Sequence, residues 1–176
     1  RFPQVEGAPE AVGVVQAQGW SAPDDRDVAV ILLEQAPAGV PVLRLGTSAG
    51  SRGHKVWSFG FPAKGLDGGQ HGYAEAGDPL RDGLFLQLTA GNDITVMYSG
   101  APVVDEVTGL VIGMVSRITK PDVHQRGQGI VLATPAEALR DAWPDLAVKD
   151  VCPYHELEPF TKDDAAWFNG RDNAVR

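Results

Sequence analysis

The sequence predicts an all-β domain. Short runs rich in β-branched and aromatic residues recur through the first four fifths of the chain, and Gly, Pro or Asp bounds each of them. The length, 176 residues, supplies one ordinary domain and a short extension, and a domain of that size buries roughly 70% of its unfolded surface.

In order, the runs are "AVGVVQAQGW", "DVAVILLE", "VPVLRLG", "KVWSFGFP", "GLFLQLTA", "APVVDE", "GLVIGMVSR" and "GIVLATP". That spacing reads as a sandwich or barrel. Between Val103 and Val115, "DEVTG" supplies a hairpin turn, since Gly109 takes the positive φ that the reversal needs. A helix follows at "TPAEALRDAW", with Thr134 as N-cap, Pro135 at the first helical position, Glu137 completing a capping box, and Pro144 as the limit. Beyond it "PDLAVKDVCPYHELEP" reads as a linker. A second helix is expected at "TKDDAAWF", capped by Thr161, favoured by Asp163 and Asp164 at its positive end and stopped by Gly170.

Composition narrows the function. A net charge of −8 argues against a sequence-independent grip on nucleic acid, which draws its affinity from Lys and Arg on phosphates. No apolar run reaches the length of about 20 residues that a spanning helix needs, so no membrane partner is expected. The single Cys152 excludes an internal disulfide and favours a reducing, cytoplasmic setting. One cysteine and the scattered His54, His71, His124 and His155 show no metal-ligand spacing, and each histidine reads as a solvated surface residue, His71 in a Gly-rich loop. "GTSAGSRGHK" is not a phosphate loop, because Lys55 does not directly follow a glycine and no Ser or Thr succeeds it.

The stretch that carries chemistry is "VMYSGAPVVDEVTGLVIGMVSR", residues 96 to 117. Ser99, between Tyr98 and Gly100, reads either as an ordinary turn serine or as a nucleophile held out for attack. A nucleophile needs a base, a carboxylate to orient the base, and N–H groups aimed at the developing oxyanion. Upstream, "DRDVAVILLE" places Asp27 at the mouth of an apolar strand, and downstream "GLVIGMVS" ends a strand in Ser116.

That order resembles the trypsin-like serine peptidases of the compact bacterial type. The resemblance runs from about Gln4 to Trp143 and implies a double β-barrel of chymotrypsin type, with "SAGSRGHKVWSFGFP" leading into the second barrel and a helix closing it. It implies Ser99 as nucleophile, Asp27 as the carboxylate that orients the histidine, and the N–H groups of Met97 and Ser99 as the oxyanion hole. Ser116 matches the serine at the wall of the primary specificity pocket, and Gly127 and Gly129 fall on the strand that lines it. Counting back from Ser99, Asp93 lands at the pocket floor, where a carboxylate selects Arg or Lys; it also reads as a side chain bonding local backbone in "GNDIT".

Two residues depart from the family. Met97 stands where glycine is usual, and no histidine precedes Asp27, where the family places its base. The first barrel also lacks its opening strands, so the domain of residues 1–146 is expected to be truncated at its N-terminus, with its first barrel incomplete. As it stands it should lack peptidase activity, because removing the histidine of such a triad costs on the order of 10⁶ in turnover. The alternative is an inactive protease-like adaptor, a reading that Met97 favours.

Residues 147–176 carry a second resemblance. "CPYHELEPFTKDDAAWFNGRD" looks like the opening segment of bacterial STAND-type NTPases. It implies a missing downstream domain that binds ATP or a related nucleotide, with Gly170 and Arg171 as candidate contacts and oligomerisation through that domain. The two together imply a peptidase effector, without a cofactor of its own, acting on a protein or peptide substrate under a nucleotide-dependent sensor.

Overall fold

In the computed structural model, residues 2–3, 5–23, 25–62, 68–124 and 126–149 are described. The linker beyond Lys149, Cys152, His155, the second helix expected from Thr161, and Gly170 and Arg171 lie outside the described residues.

Strands β1 (Gly13–Ser21) and β2 (Val28–Leu33) form an antiparallel ribbon, with Val15 opposite Ile31 and Ser21 opposite Val28. Among the described residues it pairs with no further strand and stays unclosed. Next come β3 (Leu45–Gly46), β4 (Lys55–Gly60), β5 (Gln70–Leu80), β6 (Phe85–Thr89), β7 (Pro102–Asp105), β8 (Val111–Ile118), β9 (Val131–Pro135), helix α1 (Ala136–Ala142) and β10 (Val148–Lys149). The order β8-β7-β4-β5-β6-β9 returns to β8 through a β8–β9 pairing, so these strands close one barrel. The architecture is therefore a closed barrel, an open ribbon and a C-terminal helix; a second complete barrel is not seen among the described residues.

Period-two alternation builds the barrel. On β4, Val56, Ser58 and Gly60 point inward, and on β5 Gly72, Ala74 and Ala76 do. Leu86, Leu88, Ile94, Tyr98, Val103, Ile112, Val115 and Val131 fill the interior. The small inward residues leave room for large ones: a Cβ on Gly60 would lie 2.6 Å from the Tyr98 ring, and one on Gly72 2.8 Å from Ile94. The hairpin at "DEVTG" forms as expected, with Gly109 at φ 68°.

Three expectations are corrected. The longest strand, β5, was not expected: its inner face is Gly and Ala, which carry little strand propensity, and it holds His71 on an exposed outward position of a strand, not a loop. "VPVLRLG" contributes only Leu45–Gly46; Val42 is 90% exposed, next to a proline that cannot donate to a ladder. The helix begins at Ala136 with Pro135 as its N-cap and no side-chain cap bond. Thr134 instead belongs to β9, fully buried, and donates its hydroxyl to the Arg26 carbonyl at 2.8 Å. Glu137 reaches out to the 47–49 loop, accepting from the Thr47 hydroxyl (2.5 Å), the Ser48 N–H (2.7 Å) and the Ser48 hydroxyl (2.9 Å). Tertiary partners have outbid the local capping box.

Candidate active site

The turn at Ser99 is set by the strands behind it. The Ala101 N–H donates to the Tyr98 carbonyl at 2.9 Å, which leaves Ser99 and Gly100 at the centre of a β-turn. Gly100 holds φ 86°, the value that a type II turn requires at this position. Its N–H donates to the Val115 carbonyl and the Val115 N–H to the Ala101 carbonyl, both at 2.8 Å, so the turn is stitched to β8. Tyr98 anchors it from below: its ring is fully buried on Gly60 and its hydroxyl donates to the Gln70 carbonyl at 3.0 Å. Burial pushes the Tyr98 phenol up, which keeps it a donor. The plain turn and the presented hydroxyl are thus one structure, and Ser99 is exposed on a rigid support.

Asp27 sits at the mouth of β2 with φ 55°, in the left-handed region. Ser116, buried on β8, joins it to the serine: its hydroxyl donates to Asp27 Oδ2 at 2.8 Å, and its carbonyl accepts from Ser99 Oγ at 3.1 Å. One residue therefore holds the carboxylate with its side chain and the hydroxyl with its main chain. Above this contact lies an open cleft of about 380 Å³, walled by Trp20 and Pro23 from the ribbon side and by Ser99 and Met114 from the barrel side, with Asp27 between. Among the described residues no histidine lines it.

Before the turn, Met97 takes φ 82° and is 61% exposed. Among the described residues neither its N–H nor that of Ser99 finds a backbone acceptor, which leaves both donors available.

Residues 3–114 match the family described as the trypsin-like peptidase domain. The chain belongs to that family. Its fold is similar to that of the HtrA-type protease AlgW with decapeptide, at 25% identity and a TM-score of 0.55, over 78% of this chain and 41% of that one. It is also similar to the Rv3671c protease in its inactive form, at 18% identity and a TM-score of 0.54, over 80% of this chain and 69% of that one. The chain thus spans well under half the length of the AlgW protease. No curated protein matches it in sequence.

Within this trypsin-like domain, Asp27, Ser99 and Ser116 are brought together, with Met97 two residues before Ser99, whereas Asp93, Gly127 and Gly129 are not among the residues that line the cleft. Gly127 and Gly129 are in the loop before β9, not on a strand, because φ values of 77° and 70° do not fit a ladder. The Gly129 carbonyl accepts from the Gly91 N–H at 2.8 Å and so ties that loop to the segment bearing Asp93. Asp93 is exposed, and among the described residues no local backbone donor bonds its carboxylate.

The histidines fall elsewhere. His54 is not a solvated surface residue: its Nδ1 lies 3.1 Å from the buried Asp105 carboxylate, which also accepts from the Val107 N–H and the Thr108 hydroxyl. His71 packs edge-on to Trp57 and Phe59 on the outer face of the barrel. His124 is exposed in the loop after β8. The contact that sequence reasoning missed is Thr134 on Arg26, next to Asp27; a Thr-Pro step before a helical pattern signals a cap, and nothing local signals a bond across 108 residues.

Proposed function

We propose that this trypsin-like domain is a serine endopeptidase whose triad is completed by a histidine from outside the described residues. The observation that supports it best is Ser116, which bonds both the Asp27 carboxylate and the Ser99 hydroxyl at one open cleft; the reading puts the imidazole between them. The family order puts that histidine ahead of Asp27, so the reading requires one in the parent polypeptide.

In this reading the imidazole takes the Ser99 proton as Oγ attacks the scissile carbonyl carbon, and the C=O electron pair moves onto oxygen, facing the Met97 and Ser99 N–H groups. Collapse of the tetrahedral adduct expels the amine, which takes the proton from the imidazolium. Water, activated by the same imidazole, then releases the acyl group from Ser99. Asp27 holds the ring in the required tautomer and stabilises its cation.

A peptide substrate has a place to bind. β7 leaves β8 at the Pro102–Met114 pair, so the edge of β8 from Ser116 to Ile118 on that side carries no strand among the described residues. An extended peptide pairs there by strand addition, with its scissile bond at Ser99. Asp93 is read as the floor of the pocket for the side chain before that bond, favouring Lys or Arg, and Gly127 and Gly129 as part of its lining.

The same reading keeps the segment of residues 152–172 as the start of a nucleotide-dependent sensor in a cytoplasmic signalling protein, with Gly170 and Arg171 near the nucleotide. A second reading, a protease-like adaptor without catalysis, draws on Met97: a side chain at φ 82° strains the loop that must donate to the oxyanion.

The experiment is labelling by a fluorophosphonate probe with free imidazole supplied in solution. The peptidase reading predicts a label that depends on imidazole and disappears in Ser99→Ala. No label at any imidazole concentration, or one that persists in Ser99→Ala, favours the adaptor.

A further inference from the structure

The loop from Ala22 to Asp27 is gripped from the barrel at successive points. Arg117 on β8 lays its guanidinium 4.8 Å from the centre of the Phe85 ring and donates to the Pro23 carbonyl. Thr134 on β9 donates to the Arg26 carbonyl at 2.8 Å, and Ser116 donates to the Asp27 carboxylate itself. Other bonds among the described residues are local: the Asp25 and Asp27 N–H groups both donate to the Ala22 carbonyl, at 3.0 and 3.1 Å, the Arg26 N–H donates to the Ser21 hydroxyl at 3.1 Å, and that hydroxyl donates to the Asp25 carboxylate at 2.7 Å.

That grip has a purpose set by Asp27. A non-glycine residue in the left-handed region costs about 1–3 kcal/mol and persists only where its surroundings over-determine it. The Thr134 hydroxyl is unused by the helix that follows, since Pro135 is the cap. In a buried position of β9 a valine would fill the same volume with better strand propensity. What valine cannot supply is the bond to the residue immediately before Asp27. Arg117, likewise, restrains Pro23, which walls the cleft.

We propose that Thr134 and Arg117 are positioning residues: they hold the Pro23 and Arg26 carbonyls so that the Asp27 carboxylate faces the cleft. The functional part of this claim rests on the peptidase reading; the structural part does not.

Amide hydrogen exchange tests the structural part in the chain itself. Thr134→Val should raise the exchange rate of the Asp27 N–H about tenfold, the scale of one buried hydrogen bond, while the Val56 and Leu88 amides of the barrel keep theirs, and Thr134→Ser should restore it. Arg117→Met should act in the same direction, and it carries the test if Thr134→Val does not fold. Imidazole-dependent labelling of Ser99 tests the functional part. At saturating probe its rate should fall about 10²-fold in Thr134→Val, the cost of a misplaced catalytic group, with unchanged half-saturating probe concentration and recovery in Thr134→Ser. An Asp27 amide that does not respond in the folded variants, or that accelerates together with the barrel core, overturns the proposal. So does unchanged labelling despite a loosened Asp27. If the unaltered chain takes no label, the peptidase reading fails, and the exchange rates decide the positioning claim alone.

Discussion

Ser99 and Asp27 were legible because their local chemistry is legible. A serine before Gly-Ala-Pro announces a tight turn, and a carboxylate opening an apolar strand announces a strand mouth; both residues are found in those settings. Ser116 was legible as a member of the site but not as its link, since its bond to Asp27 crosses 89 residues. Thr134 and Arg117 were not legible at all, because their partners lie 108 and 94 residues away and no local pattern encodes them. Met97 is the residue at which sequence and structure make a sharp prediction. It adopts the glycine-like φ of 82° that the family position calls for, without the freedom of glycine. Met97→Gly should therefore stabilise the domain by about 1 kcal/mol, the relieved strain less the entropy of glycine, read as a higher midpoint of urea unfolding at unchanged slope.

Elements were read well where period-two alternation used large residues and poorly where it used small ones. β8 and β9, rich in Val, Ile and Leu, were found; β5, with Gly72, Ala74 and Ala76 on its inner face, was not. Gly72 makes room for Ile94, and the Gln70 carbonyl of the same strand accepts the Tyr98 hydroxyl, so the missed strand is part of the support for the serine turn. Gly60→Ala places a methyl 2.6 Å from the Tyr98 ring and should destabilise the barrel by about 1–3 kcal/mol while loosening the 98–101 turn, detectable as faster exchange of the Ala101 amide. Helix α1 was found too, but Thr134 and Glu137, expected as its capping box, serve other elements. Burial pushes Glu137 up, yet the hydrogen bonds from Thr47 and Ser48 outweigh it and hold the carboxyl below the ordinary glutamate value. A depressed folded pKa stabilises above the unfolded value of about 4.3, and that contribution is lost as pH falls through the folded pKa. Glu137→Gln should cost about 1 kcal/mol at pH 7, and thermal melts should show the gap to the unaltered protein closing below about pH 4.

At the scale of the whole molecule, the described residues divide into two unequal parts. The barrel has a closed ladder and a filled core, whereas the ribbon leaves Val14, Val15, Trp20, Ile31 and Leu32 each more than half exposed. A two-stranded ribbon is marginal by itself, so its amides should exchange at far lower protection than those of β4 to β9, with the 22–27 loop intermediate because the barrel grips it. Equal protection across ribbon and barrel would show that the ribbon is held by more than the contacts described. The fold class was legible at this scale because strand spacing and turn chemistry are distributed over the chain; closure was not, because it depends on pairings such as β8 with β9 that no local run specifies. The account as a whole depends on the gap between Asp27 and Ser99 being a site for an imidazole. The most direct test is an NMR titration of this chain with free imidazole, following the backbone amides. The account predicts saturable shifts centred on Asp27, Ser99, Gly100 and Ser116 that weaken in Asp27→Asn; shifts that begin elsewhere, or none at these residues, would contradict it.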